Sequence, residues 1–573
     1  MFPVHCSVFL EPTLYDCQKL RERRRVCYAF SMNSFQKILF ALENSKTSLC
    51  LWMAAFSCLI LSRLLVESWL FGFENRSAEF LFSEWTHNVL FFLFSFLLFL
   101  PMVQWCARVS LAAASNVLLF GFTVILTPPI IDFLVSNGKG LWSFYIFDGF
   151  SGLLSRYVTF FGDRPDMGIT YGVRVEVALV SAFFGAYVLM KTKRRLRALF
   201  VISASYTLLF FLGTFPSWAA MLLLGMSEGR WAINGTDVAG IFLSPLTFFA
   251  RDLVDPRSIL NVKMSLIYAA TLPFLVGGWL FRYHRDIFWA LFQNARLPQV
   301  VYHGGLLLVG MGLAVLFAHT KISPGFFDGI AILLLIAAVV SAWLASVVAN
   351  DMFDTVIDAE TNAWRPLPSG GIERSLYAAI GIGFFVASML FSAVVSVKSS
   401  LFLLAYQAVA WAYSAPPFRL KRFPVIASFV SAVASVLILM LGYIVFSPDG
   451  TAKTLPVSIV FLFLFVYTVS IPLKDFKDIE GDRKDGVWTL PVLLGAEWAK
   501  IVIGSGIFLS FLASVFVFRA PALFFPALLF GGASFWTVIS MKQKTGRITY
   551  RSVFWWILGI VALYGLWAVG ILL

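Results

Sequence analysis

Long apolar stretches recur along almost the whole chain and constrain its fold more than any other feature. Stretches of roughly 18 residues or more have the length that an α-helix needs to cross a bilayer. Of the 573 residues, 60% are hydrophobic and only 13% are charged, and the mean hydropathy is +0.84. Soluble domains are about half apolar and a quarter charged. The alternating segments of about ten residues that build a membrane β-barrel are missing. The sequence therefore predicts an all-α polytopic membrane protein.

The charge pattern also favours a membrane protein. The formal net charge is +13, and the basic residues lie in short runs between apolar stretches, at 21–25, at 191–197 and at 282–296, where the last run ends with Arg296. Basic loops of this kind are retained on the cytoplasmic side of a membrane. We therefore interpret the charge as a topology signal and exclude nucleic acid as a partner.

Cysteine and histidine give no indication of a metal centre. All six cysteines fall in the first fifth of the chain, without a Cys-x-x-Cys pair, and the five histidines are scattered. The spacing of a zinc site is absent. Any metal chemistry must therefore depend on oxygen ligands.

The apolar stretches divide the chain into three parts. Residues 1–46 form a basic, cytoplasmic N-terminal tail. Residues 47–296 form an N-terminal transmembrane domain of unknown role with about six spans, near 47–70, 87–106, 109–134, 173–190, 197–216 and 265–281, with longer external segments at 135–172 and 217–264. Residues 297–573 form a domain with nine spans, near 301–319, 329–349, 375–397, 400–414, 424–446, 455–473, 499–518, 520–541 and 552–572.

Two carboxylate clusters, about 120 residues apart, follow the second and sixth spans of the last domain. The first cluster holds Asn350, Asp351, Asp354 and Asp358, and the second holds Asp475, Asp478 and Asp482. On continuous helices each set would face one way, since successive residues are about 100° apart. Acidic side chains beside hydrocarbon indicate function. Oxygen ligands of this kind suit magnesium, which binds through carboxylates and substrate phosphates. We therefore predict two magnesium-binding walls, both on the cytoplasmic face, that clamp a diphosphate.

A proline-containing loop on the same face supplies cations. Arg419, Lys421 and Arg422 follow Pro416-Pro417, and Arg365 and Lys474 lie beside the two clusters. Arginine and lysine neutralise phosphate oxygens, so these five are candidate diphosphate ligands, together with Asn350. The alternative for the loop is a basic anchor to anionic lipid.

Aromatic residues are candidates for stabilising a positive charge that forms during a reaction. A diphosphate that leaves an allylic carbon creates a cation, which aromatic faces stabilise, and 17% of the chain is aromatic. Possible lining residues are Phe353, Phe384, Phe385, Tyr406, Trp411 and Phe476.

At these residues the chain resembles the UbiA superfamily of membrane prenyltransferases. The family's Asn-Asp-x-x-Asp-x-x-x-Asp motif matches Asn350–Asp358, and Arg-Pro-Leu-Pro-Ser-Gly follows at 365–370. The second motif, Asp-x-x-x-Asp, matches Asp478 and Asp482. The resemblance covers about residues 297–573. It implies a nine-helix bundle around a central cavity, with magnesium as the cofactor and Asp351, Asp354, Asp478 and Asp482 as catalytic residues.

The implied reaction is magnesium-dependent transfer of an isoprenyl group from its diphosphate to an aromatic or lipid acceptor within the membrane. One departure is Asn362-Ala363-Trp364, where the family often has Lys-Pro, which leaves the donor open. Phosphoribosyl transfer to a lipid phosphate, terpene cyclisation and a non-catalytic ion or lipid transporter or scaffold remain alternatives. The predicted location is the bacterial inner membrane, with the active-site face cytoplasmic.

Overall fold

A computed structural model describes most of the chain. The described residues are 34–72, 78–138, 146, 149–162, 169–246, 248–249, 255–321, 325–355, 358–359, 362–477, 479–484, 486–541, 543–544, 547–548 and 550–572. Most of the predicted N-terminal tail lies outside these ranges, and so does Asp478 of the second cluster.

The chain divides into two compact units, and the first comprises the described parts of Met1–Arg76 and Ser95–Ile233. Its helices are, in chain order, α1 (Ser34–Asn44), α2 (Leu49–Phe71), α3 (Ala78–Ala107, shared with the second unit), α4 (Leu111–Gly121), α5 (Thr127–Val135), α6 (Gly149–Val158), α7 (Tyr171–Thr192), α8 (Arg195–Gly213) and α9 (Phe215–Glu228). A 3-10 turn, Phe122–Leu126, joins α4 to α5, and α7 packs along α8.

The short helix α1 is tied to the rest of the first unit by polar contacts. The Glu43 carboxylate accepts hydrogen bonds from the Tyr187 hydroxyl at 2.8 Å and the Lys191 ammonium at 2.7 Å, both on α7. The Asn116 amide donates to the carbonyl oxygens of Leu42 at 3.2 Å and Ser45 at 3.0 Å. These bonds hold the end of α1 against two helices.

The second unit comprises the described parts of Ser77–Phe94 and Asn234–Leu573. Besides the start of α3, its helices are α10 (Gly235–Phe242), α11 (Pro256–Tyr283), α12 (Arg285–Asn294), α13 (Leu297–Phe317), α14 (Phe326–Phe353), α15 (Arg374–Val395), α16 (Val397–Ser414), α17 (Pro424–Phe446), α18 (Val457–Ser470), α19 (Ile479–Lys484), α20 (Leu490–Leu494), α21 (Ala496–Val517), α22 (Phe524–Ile539) and α23 (Tyr550–Leu572). The 3-10 segments are Leu420–Arg422, Ile471–Lys477 and Pro521–Leu523. Two-residue strands β1 (Gln543–Lys544) and β2 (Arg547–Ile548) pair antiparallel.

The predicted all-α polytopic fold is confirmed. Within the described ranges, 14 helical segments are long and apolar enough to cross a membrane, one of which, Leu111–Val135, joins α4, the 3-10 turn and α5. Each stretch predicted from the sequence overlaps helical residues. Helix α16 matches the predicted span 400–414 but is not among the 14 candidates. Lys398 and Gln407 interrupt its apolar residues and lower its hydropathy.

The segment at 217–264, predicted to be external with a weakly apolar piece that re-enters the membrane, is largely helical among its described residues. It contains most of α9, all of α10 and the start of α11, which begins at Pro256. The helix that contains the predicted span 265–281 begins earlier, at Pro256, and includes the buried Lys263. Its ammonium donates to the Ile241 carbonyl at 2.6 Å and the Ser244 hydroxyl at 3.0 Å, so the charge is solvated by the protein itself.

Helices α13 and α17 approach each other closely because of two glycines. A Cβ added at Gly310 would lie 2.0 Å from the Leu439 carbonyl oxygen, and one at Gly442 would lie 2.1 Å from the Leu307 carbonyl oxygen. Small residues permit such backbone contact between membrane helices. The pairing fixes the register of α13, which begins next to the first carboxylate cluster.

Candidate active site

The first cluster forms where α14 leaves its apolar span. Asn350 and Asp351 lie in the last turn, and Asp354 caps the helix with its N–H bonded to the Asn350 carbonyl at 3.0 Å. The Asp358 N–H then bonds to the Asp354 carbonyl at 2.9 Å. The backbone thus keeps a helical hydrogen-bond pattern across the motif, so its polar side chains stay close together.

Asp351 is the most enclosed carboxylate of the cluster, with 1% exposure. Its Oδ1 accepts from Arg296 at 2.7 Å and Arg365 at 3.3 Å. Its Oδ2 accepts from the Asn294 amide at 2.8 Å and the Tyr377 hydroxyl at 2.9 Å. Both oxygens are therefore occupied by the protein, which compensates the cost of burying this charge.

Arg365 links Asp351 to Asp358. Its guanidinium donates to Oδ1 of both carboxylates, and Asn362 adds a 3.3 Å bond to Asp358. Burial raises the pKa of the Asp358 carboxyl, and Arg365 opposes that rise. The buried Oδ2 of Asp358 has no hydrogen-bond partner among the described residues. One oxygen of this side chain thus remains for a further ligand.

The loop after α16 brings two cations to Asp354. Lys421 and Arg419 both donate to Asp354 Oδ1, Arg419 at 3.3 Å. The Lys421 ammonium also lies 3.4 Å from Asn350 Oδ1. Burial lowers the pKa of Lys421, and Asp354 opposes that change. The loop therefore contributes charge directly to the first cluster, whereas Arg422 of the same loop is exposed.

The end of α16 joins the two clusters. The Ser414 hydroxyl donates to Asn350 Oδ1 at 3.1 Å, and the Tyr413 hydroxyl accepts from Lys474 at 3.3 Å. Arg296, which is bonded to Asp351, also repels Lys474 electrostatically. Three segments far apart in sequence therefore meet at one place.

Two members of the second cluster lie in different helical elements. Asp475 lies in the 3-10 segment Ile471–Lys477, and Asp482 lies in α19, where the Thr489 hydroxyl donates to it at 3.5 Å. The common arc predicted for the three aspartates stays a prediction, because Asp478 is outside the described residues.

The site has a positive charge balance around its first cluster. Three carboxylates are bonded by four cations, Arg296, Arg365, Arg419 and Lys421. Such a site suits an anion with several oxygens. Within the described residues, no three His, Cys, Asp or Glu side chains converge on one point.

The donor set nevertheless suits magnesium. Asn350, Asp354 and Asp358 offer hard oxygen atoms, which are the ligands that magnesium prefers. The unpartnered Oδ2 of Asp358 is one such atom already buried at the site. Asp475 and Asp482 supply further carboxylates from the second cluster.

Three residues that donate hydrogen bonds to Asp351 were not predicted as site residues, namely Asn294, Arg296 and Tyr377. Asn294 ends α12, and Arg296 adopts the left-handed conformation (φ 54°) before α13. Arg296 had been read only as part of a topology signal. Its position next to the first span of the domain was the available clue.

The predicted aromatic residues have different environments. Phe353 and Trp411 meet edge to face at 5.7 Å and are both exposed. Phe476 is buried in the core formed with α21 to α23, and Phe384 packs beside Tyr377. Tyr406 alone is both buried and hydrogen-bonded, to His303.

Comparison with known proteins shows similarity over the second half of the chain. The family model of the UbiA prenyltransferase family matches residues 306–558. A digeranylgeranylglyceryl phosphate synthase of Sulfurisphaera tokodaii is 28% identical over 236 residues, or 40% of this chain and 80% of the relative. The synthase of the same name from Methanothermobacter thermautotrophicus is 30% identical over 222 residues, or 37% of this chain and 73% of the relative. A UbiA homologue from Archaeoglobus fulgidus, solved bound to DMAPP and Mg2+, is 19% identical and covers 48% of this chain and 98% of its own, with a TM-score of 0.37.

The fold and site define a multi-pass membrane prenyltransferase. The chain belongs to the UbiA prenyltransferase family, as its motifs indicated. The transporter and scaffold alternatives are therefore set aside.

Proposed function

We propose that the protein transfers an isoprenyl group from an isoprenyl diphosphate to an aromatic or lipid acceptor in a magnesium-dependent reaction. The convergence of Asn350, Tyr413 and Lys474 carries the proposal, since it joins both carboxylate clusters and the cationic loop. The relatives are digeranylgeranylglyceryl phosphate synthases, which supports a lipid acceptor. Residues 297–573 would perform the transfer, and residues 47–296 would form the N-terminal membrane domain. The described parts of 77–94 and 234–296 belong to the same compact unit as the transferase region, so they would support it directly. The site would face the cytoplasm of a plasma membrane, as the basic loops favour.

The residues fall into two roles. Asn350, Asp354, Asp358, Asp475, Asp478 and Asp482 would hold magnesium, which would neutralise charge on the leaving diphosphate. Arg365, Arg419, Lys421, Arg422 and Lys474 would bind diphosphate oxygens.

Asp351 fits a positioning role better than a metal-binding one. Both of its oxygens already accept hydrogen bonds, and two of the donors are Arg296 and Arg365. We propose that Asp351 orients the guanidinium groups of Arg296 and Arg365 toward the diphosphate. Tyr377 and Asn294 would in turn hold Asp351 in place.

The test is donor consumption by the purified full-length protein. Labelled geranylgeranyl diphosphate is supplied with a pooled lipid and quinone-precursor extract, with magnesium or with a chelator, and the product is identified by mass spectrometry. We expect the chelator to stop transfer, and Asp354→Ala or Asp478→Ala to lower the rate roughly a hundredfold or more.

Asp449→Ala is the matched control, because this carboxylate lies in the loop after α17 and bonds only to that loop's Ser447 and Thr451 in the contacts described. Wild-type rates in Asp354→Ala or Asp478→Ala would contradict the metal assignment. Saturable diphosphate binding without transfer from any isoprenyl donor would favour phosphoribosyl transfer instead.

A further inference from the structure

The turn between α7 and α8, in the first unit, carries a high density of positive charge. Its cations are Lys193, Arg194, Arg195 and Arg197. Lys191 precedes them, but its ammonium is paired with Glu43. The first three of the four cations are exposed, and no ion pair joins any of the four to an acidic side chain in the described part of the chain. The turn therefore presents charge that these parts of the protein do not neutralise.

A fifth cation lies beside them at the end of α3. The Trp105 ring, in the last turn of α3, meets the Phe200 ring of α8 edge to face at 6.4 Å. Arg197 interacts electrostatically with Cys106, the next residue after Trp105. The exposed Arg108 directly follows α3. The end of α3 and the start of α8 are therefore neighbours, and both carry cations.

Exposed apolar side chains are interleaved with these cations. Leu196 is 82% exposed although it stands between Arg195 and Arg197, and Trp105 is 73% exposed. Tryptophan is enriched where the hydrocarbon of a bilayer meets the head groups. Leucine next to arginine suits the same boundary, because the apolar side chain enters hydrocarbon while the cations stay among the head groups. Both kinds of side chain therefore indicate contact with lipid.

The spacing along α8 agrees with the thickness of one head-group layer. We take Phe200, which packs on Trp105, as the level of the hydrocarbon boundary. A helix rises about 1.5 Å per residue, so Arg197 lies about 4.5 Å and Arg195 about 7.5 Å from Phe200 toward the start of α8. The head groups add roughly 5–8 Å to each side of the hydrocarbon core. These arginines therefore stand at the depth of the lipid phosphates.

We propose that this region binds an anionic phospholipid, with a preference for a head group that carries two phosphates. The anionic-lipid site consists of Arg108, Lys193, Arg194, Arg195 and Arg197. Two phosphates on one head group engage more of these five cations than a single phosphate does. Leu196 and Trp105 would contact the start of the acyl chains. The inference concerns the first unit and does not depend on the proposed prenyl transfer.

The apolar side chains argue for a lipid over other sources of negative charge. A free polyphosphate or an acidic protein segment would neutralise the cations but leave Leu196 and Trp105 in water. Setting the orientation of the spans needs only positive charge in the loop, and it gives no role to Leu196. A phospholipid satisfies the cations and the apolar side chains together.

The test is a lipid titration of the full-length protein, purified in a neutral detergent. Diphosphatidylglycerol, phosphatidylglycerol or phosphatidylcholine is added, and native mass spectrometry counts the bound lipids. We expect the affinity to fall in that order. Arg194→Gln combined with Arg195→Gln should weaken the binding of one diphosphatidylglycerol molecule about twentyfold, since each cation near an anionic surface contributes about fivefold.

Arg230→Gln combined with Arg257→Gln is the matched control. It removes the same charge from two arginines that form ion pairs with Glu228 and Asp255. We expect lipid binding within about twofold of wild type. Both double variants change side chains at the protein surface, so the fold should persist in each.

Leu196→Ser separates lipid from free phosphate, because it keeps every cation. It should weaken binding of diphosphatidylglycerol about threefold or more. Its affinity for the deacylated, water-soluble head group should equal that of the wild type.

Three results would overturn the lipid assignment. One is unchanged diphosphatidylglycerol binding in the double variant of Arg194 and Arg195. Another is a deacylated head group that binds wild type as tightly as the intact lipid, since the cations would then recognise phosphate alone. The third is displacement of the lipid by equimolar soluble polyglutamate, which would assign the cations to an acidic protein partner.

Discussion

Arg296 donates a 2.7 Å hydrogen bond to Asp351, and this bond ties the start of α13 to the end of α14. Asp351 is almost completely enclosed, so its charge depends on the donors around it. The arrangement places a cation that precedes the first helix of the prenyltransferase region at the first carboxylate motif. A double-mutant cycle can therefore measure how strongly Arg296 and Asp351 stabilise each other.

Arg296→Gln should destabilise the protein by about 3 kcal/mol, because removing one partner leaves a buried charge less compensated. Asp351→Asn should also destabilise it. The double variant should lose less than the sum, with a coupling of roughly 1–3 kcal/mol. Thermal unfolding in detergent measures the three variants. Strict additivity would show that the bond between Arg296 and Asp351 does not contribute to stability.

Lys421 and Arg422 are adjacent cations with different environments, which makes them a matched pair. Lys421 is buried on Asp354, whereas Arg422 is exposed. Lys421→Met should weaken binding of a non-hydrolysable isoprenyl diphosphate roughly tenfold or more, since a charge-assisted hydrogen bond is worth about 1.5–3 kcal/mol. Arg422→Met should weaken it only a few-fold. A larger loss in Arg422→Met would reverse the assigned order of the two cations.

Gly310→Ala should destabilise the second unit by about 1–3 kcal/mol through overpacking, because the new Cβ would meet the Leu439 carbonyl oxygen at 2.0 Å. Gly305→Ala on the same helix is the control, since nothing lies within 4 Å of its Cβ position. That control should be neutral, or stabilising by up to about 1 kcal/mol through helix propensity. Equal stability of the two variants would rule out close backbone contact between α13 and α17.

Glu43→Gln should loosen α1, because the Glu43 carboxylate loses its ion pair with Lys191. We expect a cost of about 1 kcal/mol, since Lys191 is partly exposed. Hydrogen exchange of residues 34–44 should become several-fold faster. Glu228→Gln, which affects a more exposed pair with Arg230, serves as the control and should leave that exchange unchanged. Unchanged exchange in both variants would mean that apolar contacts hold α1.

The sequence predicted the helices and the charged motifs because each has a local signal. The length of the apolar stretches predicted the spans, and the spacing of Asn350, Asp354 and Asp358 predicted the first cluster. A buried charged residue inside a helix has no local signal of this kind. The start of α11 contains such a residue, Lys263, and its partners, the Ile241 carbonyl and the Ser244 hydroxyl, are visible only in the structure.

The partners of Asp351 were also beyond local reasoning. Arg296, Asn294 and Tyr377 lie 55, 57 and 26 residues from it. Arg296 has the position before the first span as a clue, but that position does not name Asp351 as its partner. Asn294 and Tyr377 have no charge and belong to no motif, so the sequence does not mark them.

The glycine contact between α13 and α17 has a consequence for motion at the site. Two helices that touch backbone to backbone cannot slide past each other, so α13 and α17 form one rigid pair. Arg296 lies directly before α13, so its position follows the pair as a whole. A substrate that enters the site must adapt to this pair, because the pair cannot adapt to the substrate.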